Sequence, residues 1–191
     1  MDSLVGVCGK DFVVIAADGQ VARSILVYQR EVDKIVQLDD KKLLAAGGPQ
    51  ADCNMFTEYI QKNLALYELN NNLKLSTKAA AHFIRRQLAE AIRKGPYQTN
   101  CLLGGMDGDE ASLYWVDYFG ALQKVNYGGQ GYASNFTLST MDRKYKPGLS
   151  QEEALALVND CIQELSTRFL IDQTKWVIKI MTKDGIEVKN L

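Results

Sequence analysis

The apolar residues of this chain change period in blocks. Strand-like runs fill positions 4–46, and two stretches with helical spacing follow. Strands return over 99–125, two more helical stretches follow, and the last residues read as a hairpin. A doubly wound βαβ fold places a helix between successive strands, so strands grouped with strands and helices arriving in pairs argue against it. Two mainly antiparallel sheets face to face, with a helix pair over each outer face, would bury every apolar surface. The order therefore predicts an α+β fold, a four-layer α-β-β-α sandwich. A chain of 191 residues fits one domain, expected to span 1–191.

Local signals place the elements. Positions 4–8 are short and apolar, and 12–17 form a β-branched run typical of a strand buried on both faces. Further strand signals lie at 34–38 and 43–46. Met55, Phe56, Tyr59, Ile60, Leu64 and Tyr67 recur at helical spacing over 51–69, and the asparagines at 70–72 end the run. Ser76 or Thr77 caps a second helix reaching to about Lys94, where Gly95 and Pro96 stop it. Strands are expected at 99–106, 112–117 and 121–125. The glycine-rich stretch 128–131 reads as a tight strand-to-helix turn before a third helix to about Arg143. It is weak as a phosphate loop, because no Lys-Ser/Thr pair follows it. Ser150 and Glu153 form a capping box that starts the fourth helix. Strands at 175–182 and 186–188 close the chain around a turn at 183–185.

Composition removes several function classes. Lys and Arg number 22 against 23 Asp and Glu, without a basic block, so nucleic acid is not an electrostatically favoured partner. Cys8, Cys53, Cys101 and Cys161 lie far apart without CxxC spacing; reduced, mostly buried thiols are expected rather than a disulfide framework or a zinc site. No stretch approaches a membrane span, and the first residues lack the charged and apolar regions of a signal peptide. No membrane association, metal or cofactor is expected, and the predicted compartments are the cytoplasm and nucleus.

Several motifs are similar to those of the proteasome β-subunit family, whose members share the N-terminal nucleophile hydrolase fold. They are the Phe-Val-Val-Ile-Ala-Ala-Asp run at 12–18, the Asp33-Lys34-Ile35 step, and the Ala-Ala-Gly-Gly turn at 45–48 opening a helix with Asp52 and Cys53. Met141, Asp142 and Arg143 complete the set. Within the family, the segments at 56–63, 96–105, 113–118, 131–132 and 183–186 match one specialised eukaryotic subunit in order.

The resemblance also implies a chemistry to test. Active members cut peptide bonds with an N-terminal threonine whose hydroxyl attacks while its own α-amine serves as base. That amine titrates near pH 8, a nearby lysine helps to keep it neutral, and an aspartate orients the lysine. By the matched strand, Asp18 falls on the orienting aspartate and Lys34 on the lysine. The nucleophile position falls on Asp2, which has no hydroxyl, and a retained Met1 or an acetyl group would block its amine. The first threonine is Thr57, inside a predicted helix. The family's serine in a Gly-Ser-Gly turn corresponds to Gln130, and its late aspartate and serine to about Phe169 and Asp172. No catalytic residue is therefore expected; Asp18 and Lys34 read as a partly buried, vestigial ion pair. His82 reads as a packed or snorkelling side chain, and Ser3 as a nominal nucleophile with no base beside it.

The resemblance further implies partners: six other β subunits in a seven-membered ring, an α ring, the opposite β ring, and assembly chaperones. The tyrosine-rich segments at 114–118 and 127–132 are candidate interface or core positions. Two rival classes stay open: an active threonine or serine peptidase, which needs an exposed N-terminal hydroxyl residue, and a stand-alone α/β binding protein, which needs a ligand pocket with convergent polar groups.

Overall fold

A computed structural model describes residues 2–190. One five-stranded sheet contains β1 (Ser3–Cys8), β2 (Phe12–Asp18), β10 (Tyr127–Gly131), β11 (Trp176–Thr182) and β12 (Gly185–Asn190), in the order β10-β1-β2-β11-β12. The second contains β5 (Ile35–Asp39), β6 (Lys42–Gly47), β7 (Asn100–Asp107), β8 (Glu110–Val116) and β9 (Leu122–Val125), in chain order. A separate hairpin joins β3 (Val21–Arg23) to β4 (Leu26–Gln29). All of these pairings are antiparallel.

The helices are α1 (Gln50–Asn71), α2 (Thr77–Ala91), α3 (Ala133–Lys144) and α4 (Gln151–Arg168). Their ends follow the local chemistry. Ser76 accepts from the Ala79 N–H, and Ser150 and Glu153 exchange both bonds of the capping box. Asn72 adopts a left-handed φ of 52° at the end of α1, where its N–H reaches Glu68.

Three apolar layers hold the four structural layers together. Val5, Val7, Val14, Ala16 and Ile178 of the first sheet pack against Met141, Leu157, Val158 and Leu165 of α3 and α4. Leu44, Ala46, Leu103 and Val116 of the second sheet pack against Phe56, Ile60, Ile84 and Leu88 of α1 and α2. Between the sheets lie Leu4, Val13, Ile15 and Ala17, facing Leu43, Ala45, Leu102 and Leu113. Alternate residues of β2 thus enter different layers, yet every one is buried. Covering both faces turns an antiparallel strand into a continuous apolar run. Each fully buried Ile or Leu of these layers contributes about 1.5–3 kcal/mol. The α+β four-layer sandwich expected from the element order is the fold observed.

The structure departs from expectation in three places. The β3–β4 hairpin is not among the expected elements; Leu26, Val27 and Tyr28 suit a strand, but β4 is exposed throughout and shows no alternation of buried and exposed positions. The glycines at 128–131 form strand β10 instead of a turn: Gly128 pairs with Gly6 and Gly131 with Ser3 along the edge of the first sheet. Finally, α2 ends at Ala91, short of Lys94. All four cysteines are buried and free.

Candidate functional site

The ends of the two sheets nearest the α1 N-terminus bring Asp2, Asp18 and Lys34 together. Antiparallel pairing of β1 with β2 sets Leu4 opposite Ala17, which leaves Asp18 beside the start of β1. The Ser3 N–H donates to Asp18 Oδ1 at 2.7 Å, and the Gln20 N–H to Oδ2 at 3.1 Å. Lys34 enters from the other sheet, one residue before β5. Its ammonium donates to Asp18 Oδ2 at 2.9 Å, the Gln20 carbonyl at 2.7 Å and Asp2 Oδ1 at 2.6 Å. All three ammonium hydrogens are thus used. Asp2 Oδ2 accepts the Gly48 N–H at 2.7 Å.

This is an ion cluster of one cation and two carboxylates, almost dry. The Lys34 and Asp18 side chains are 2% and 0% exposed, and that of Asp2 12%. Burial pushes the Asp18 carboxyl above the usual carboxylate range, opposed by the Lys34 charge and the Ser3 N–H. Two glycines permit the close approach. Gly48 has φ +148°, and a Cβ there would lie 2.0 Å from the Gln98 carbonyl oxygen. Gly131 has φ +72°, and its Cβ would lie 2.0 Å from the Asp2 carbonyl oxygen.

A cavity of about 720 Å³ opens over the cluster, with Asp2, Gly48, Gln130, Leu4, Tyr28 and Tyr132 among its lining. Asp2 lines it and Lys34 does not. The β3–β4 hairpin supplies one wall through Val21, Ala22, Arg23 and Tyr28.

The other residues singled out by sequence are not joined to this cluster. Gln130 is buried, but its amide donates to the Cys101 and Val116 carbonyls of the second sheet. Phe169 stacks near Tyr132 and Phe136 at centroid distances of 5.7 Å. Asp172 and His82 are exposed. The Ser3 hydroxyl is buried and meets no hydrogen-bond partner among the described residues, and the adjacent Asp18 carboxylate accepts the Ser3 N–H instead. Cys53, the thiol whose environment includes Asp2 and Lys34, is pushed up to about 11, chiefly by burial.

Sequence reasoning missed two supports. One is the Gly48 N–H on Asp2. The other is Lys179 of β11, which donates to the Ile35 carbonyl at 2.6 Å and pairs with Asp33 at 2.5 Å, pinning the segment that carries Lys34. A lysine inside the apolar strand Trp-Val-Ile-Lys-Ile-Met-Thr is the one signal that could have exposed it.

The geometry joins an aspartate at the end of a buried strand to a lysine from the facing sheet. A family profile described as "Proteasome subunit" matches residues 2–181. The chain belongs to the proteasome subunit family. It is 48% identical over 186 residues to proteasome subunit beta type-2-B of Arabidopsis thaliana, covering 97% of this chain and 94% of that one. It is 47% identical to proteasome subunit beta type-2 of Oryza sativa subsp. japonica, covering 97% and 88%. Against proteasome subunit beta type-4 of Saccharomyces cerevisiae the identity is 38% over 189 residues, covering 97% and 96%. The ordered motifs at 56–63, 96–105 and 113–118 point to the eukaryotic beta-4 (beta type-2) subunit, and the names of these relatives agree. The sandwich is accordingly the N-terminal nucleophile hydrolase fold of threonine-type peptidases, and membership implies assembly with other proteasome subunits.

Proposed function

We propose that this chain, folded as one domain over residues 1–191, is a non-catalytic β subunit of the 20S proteasome core particle. It fills one wedge of a seven-membered β ring in the cytoplasm and nucleus. It contacts neighbouring β subunits, the α ring and the opposite β ring, and assembly chaperones during ring formation. Its work is to fix the geometry of active sites carried by other subunits in ubiquitin-dependent protein degradation.

The observation that carries this reading is the placement of Asp2. Where an active relative needs a hydroxyl, this chain has a carboxylate bonded to Lys34 at 2.6 Å and to the Gly48 N–H at 2.7 Å. A carboxylate held by an ammonium is a poor nucleophile, and Lys34 has no hydrogen left to steer an amine. Asp18 and Lys34 then persist as a structural pair, because losing either leaves a buried charge unpaired.

Native mass spectrometry of complexes purified through a tag on this chain, with ejection of single subunits, tests the proposal. A large assembly of many distinct subunits releasing the chain at its full mass is expected. A monomer or small homo-oligomer would overturn the assignment. Release of a truncated chain beginning with Ser or Thr would overturn the absence of catalysis.

A further inference from the structure

We infer that Asp184 is a site of spontaneous isoaspartate formation, and hence of methylation by an S-adenosylmethionine-dependent carboxyl methyltransferase, while the fold protects the other Asp-Gly steps of the chain. An aspartate followed by glycine can cyclise, because no side chain on the second residue hinders its backbone nitrogen from reaching the carboxyl carbon. The chain has three such steps, at 18–19, 107–108 and 184–185, and no Asn-Gly step.

Asp18 is buried, and its carboxylate accepts the Ser3 and Gln20 N–H groups and the Lys34 ammonium. The Gly19 nitrogen that would attack it donates to the Lys175 carbonyl at 2.8 Å. Asp107 is exposed, but both of its carboxylate oxygens accept the Thr77 N–H at the start of α2, at 2.9 and 3.0 Å. Asp184 is exposed in the turn between β11 and β12, and its carboxylate has no hydrogen-bond or ion-pair partner among the described residues. Only its N–H is engaged, donating to Thr182 Oγ1 at 3.2 Å. The following glycine stands in the open: a Cβ on Gly185 would meet no atom within 4 Å.

The Gly185 nitrogen attacks Cγ of the protonated Asp184 carboxyl, the N–Cγ bond forms, and one water leaves. Water then re-enters the five-membered imide. Entry at the α-carbonyl breaks the original peptide bond and leaves Gly185 linked through Cγ, with a free α-carboxylate on an exposed turn. A methyl group passes from the sulfonium of S-adenosylmethionine to that carboxylate, giving the methyl ester and S-adenosylhomocysteine. The extra backbone atom falls between Thr182 and Gly185, which pair at the end of the hairpin. It therefore disturbs β12, an edge strand held by β11 alone.

This inference is independent of the proposed ring assembly. The full chain is aged at mildly acidic pH, folded and in urea, the urea sample setting the reference rate for each step. Isoaspartate is located by peptide mapping with electron-transfer fragmentation. It is counted by transfer of labelled methyl groups from S-adenosylmethionine with a purified isoaspartate methyltransferase. In the folded chain conversion at Asp184 should exceed that at Asp107 and Asp18 by about tenfold or more, the rate equivalent of first breaking a hydrogen bond to a charged group. Thr77→Pro removes the donor that holds Asp107, at a first helical position where proline is tolerated. It should raise conversion at Asp107 by a similar factor and leave Asp184 unchanged. Asp184→Glu should remove most of the methyl acceptance of the folded chain. Equal conversion at Asp107 and Asp184 in the folded native chain, or none at Asp184 while the urea sample converts, overturns the inference. Both of those results are read in the native chain, so they hold whether or not Thr77→Pro folds.

Discussion

Replacing Lys34 by methionine keeps the volume of the side chain and removes its charge. Asp18, with no exposed side-chain surface, then loses its cationic partner and keeps the Ser3 and Gln20 N–H groups. Asp2 keeps Gly48, and the Gln20 carbonyl loses its donor. Removing one partner of a buried ion pair costs about 3–5 kcal/mol. Protonation sets a ceiling on that cost. An aspartate with an unfolded pKa near 3.9 can be neutralised at pH 7 for about 4 kcal/mol, and at pH 5 for about 1.5 kcal/mol. The sign follows from linkage. In the variant the folded pKa of Asp18 lies further above its unfolded value than in the native chain. The folded form therefore binds the proton more tightly, and the deficit grows as pH rises through the range between the two values. Urea unfolding followed by far-UV circular dichroism should show a midpoint loss of about 1.5–2 M at pH 7, for a slope near 2 kcal/mol per M. The loss should shrink to well under half at pH 5. Asp18→Asn combined with Lys34→Met should recover part of it, because the fully buried position 18 then carries no unpaired charge, while Asp2 keeps the Gly48 N–H. A deficit below about 1 kcal/mol at pH 7, or one that does not change with pH, refutes the reasoning.

Gly131→Ala places a Cβ 2.0 Å from the Asp2 carbonyl oxygen at φ +72° and should cost at least about 2 kcal/mol in thermal unfolding. A change within about 0.5 kcal/mol would mean that β10 relaxes away from Asp2 without penalty. Burial pushes the Cys8 and Cys53 thiols up to about 11. Intact-mass labelling with iodoacetamide at pH 8 should therefore modify them on the order of a hundredfold more slowly in the folded than in the urea-unfolded chain, and equal rates would contradict it. Ser150→Ala removes one half of the capping box at the α4 N-terminus and should lower stability by about 1 kcal/mol, recovered by Ser150→Asp; no change would show the cap to be idle.

The parts of the fold legible in the sequence are those on which burial acts directly. Strand β2 is covered on both faces, so its first six residues read as one apolar run, and α4 announces itself through the Ser150–Glu153 box. Where burial does not act, the periodic pattern fails as a guide. Strand β4 is exposed along its whole length, and β10 holds its place by backbone pairing with β1, for which three glycines in five residues give no side-chain signal. The site divides the same way. Asp18 and Lys34 are legible by their places in matched segments, whereas the closure by Asp2 depends on Gly48, 46 residues away, and the brace on Lys34 comes from Lys179, on a strand at the far end of the chain.

The order of cause follows from where the cluster sits. Ser3 and Asp18 belong to the first sheet and Asp2 immediately precedes its strand β1, while Lys34 and Gly48 directly flank β5 and β6 of the second. The distances of 2.6–2.9 Å between them are therefore set by how the sheets stack, which Leu4, Ile15, Leu43 and Leu102 decide through the apolar layer between them. An ion cluster of net charge −1 in nearly dry surroundings is no source of folding energy by itself, since desolvation offsets most of its attraction. The apolar layer brings the charges together, and the charges then select the one stacking register in which all three ammonium hydrogens and both ends of Asp2 are satisfied. In this arrangement the Asp18–Lys34 pair serves the register of the sandwich.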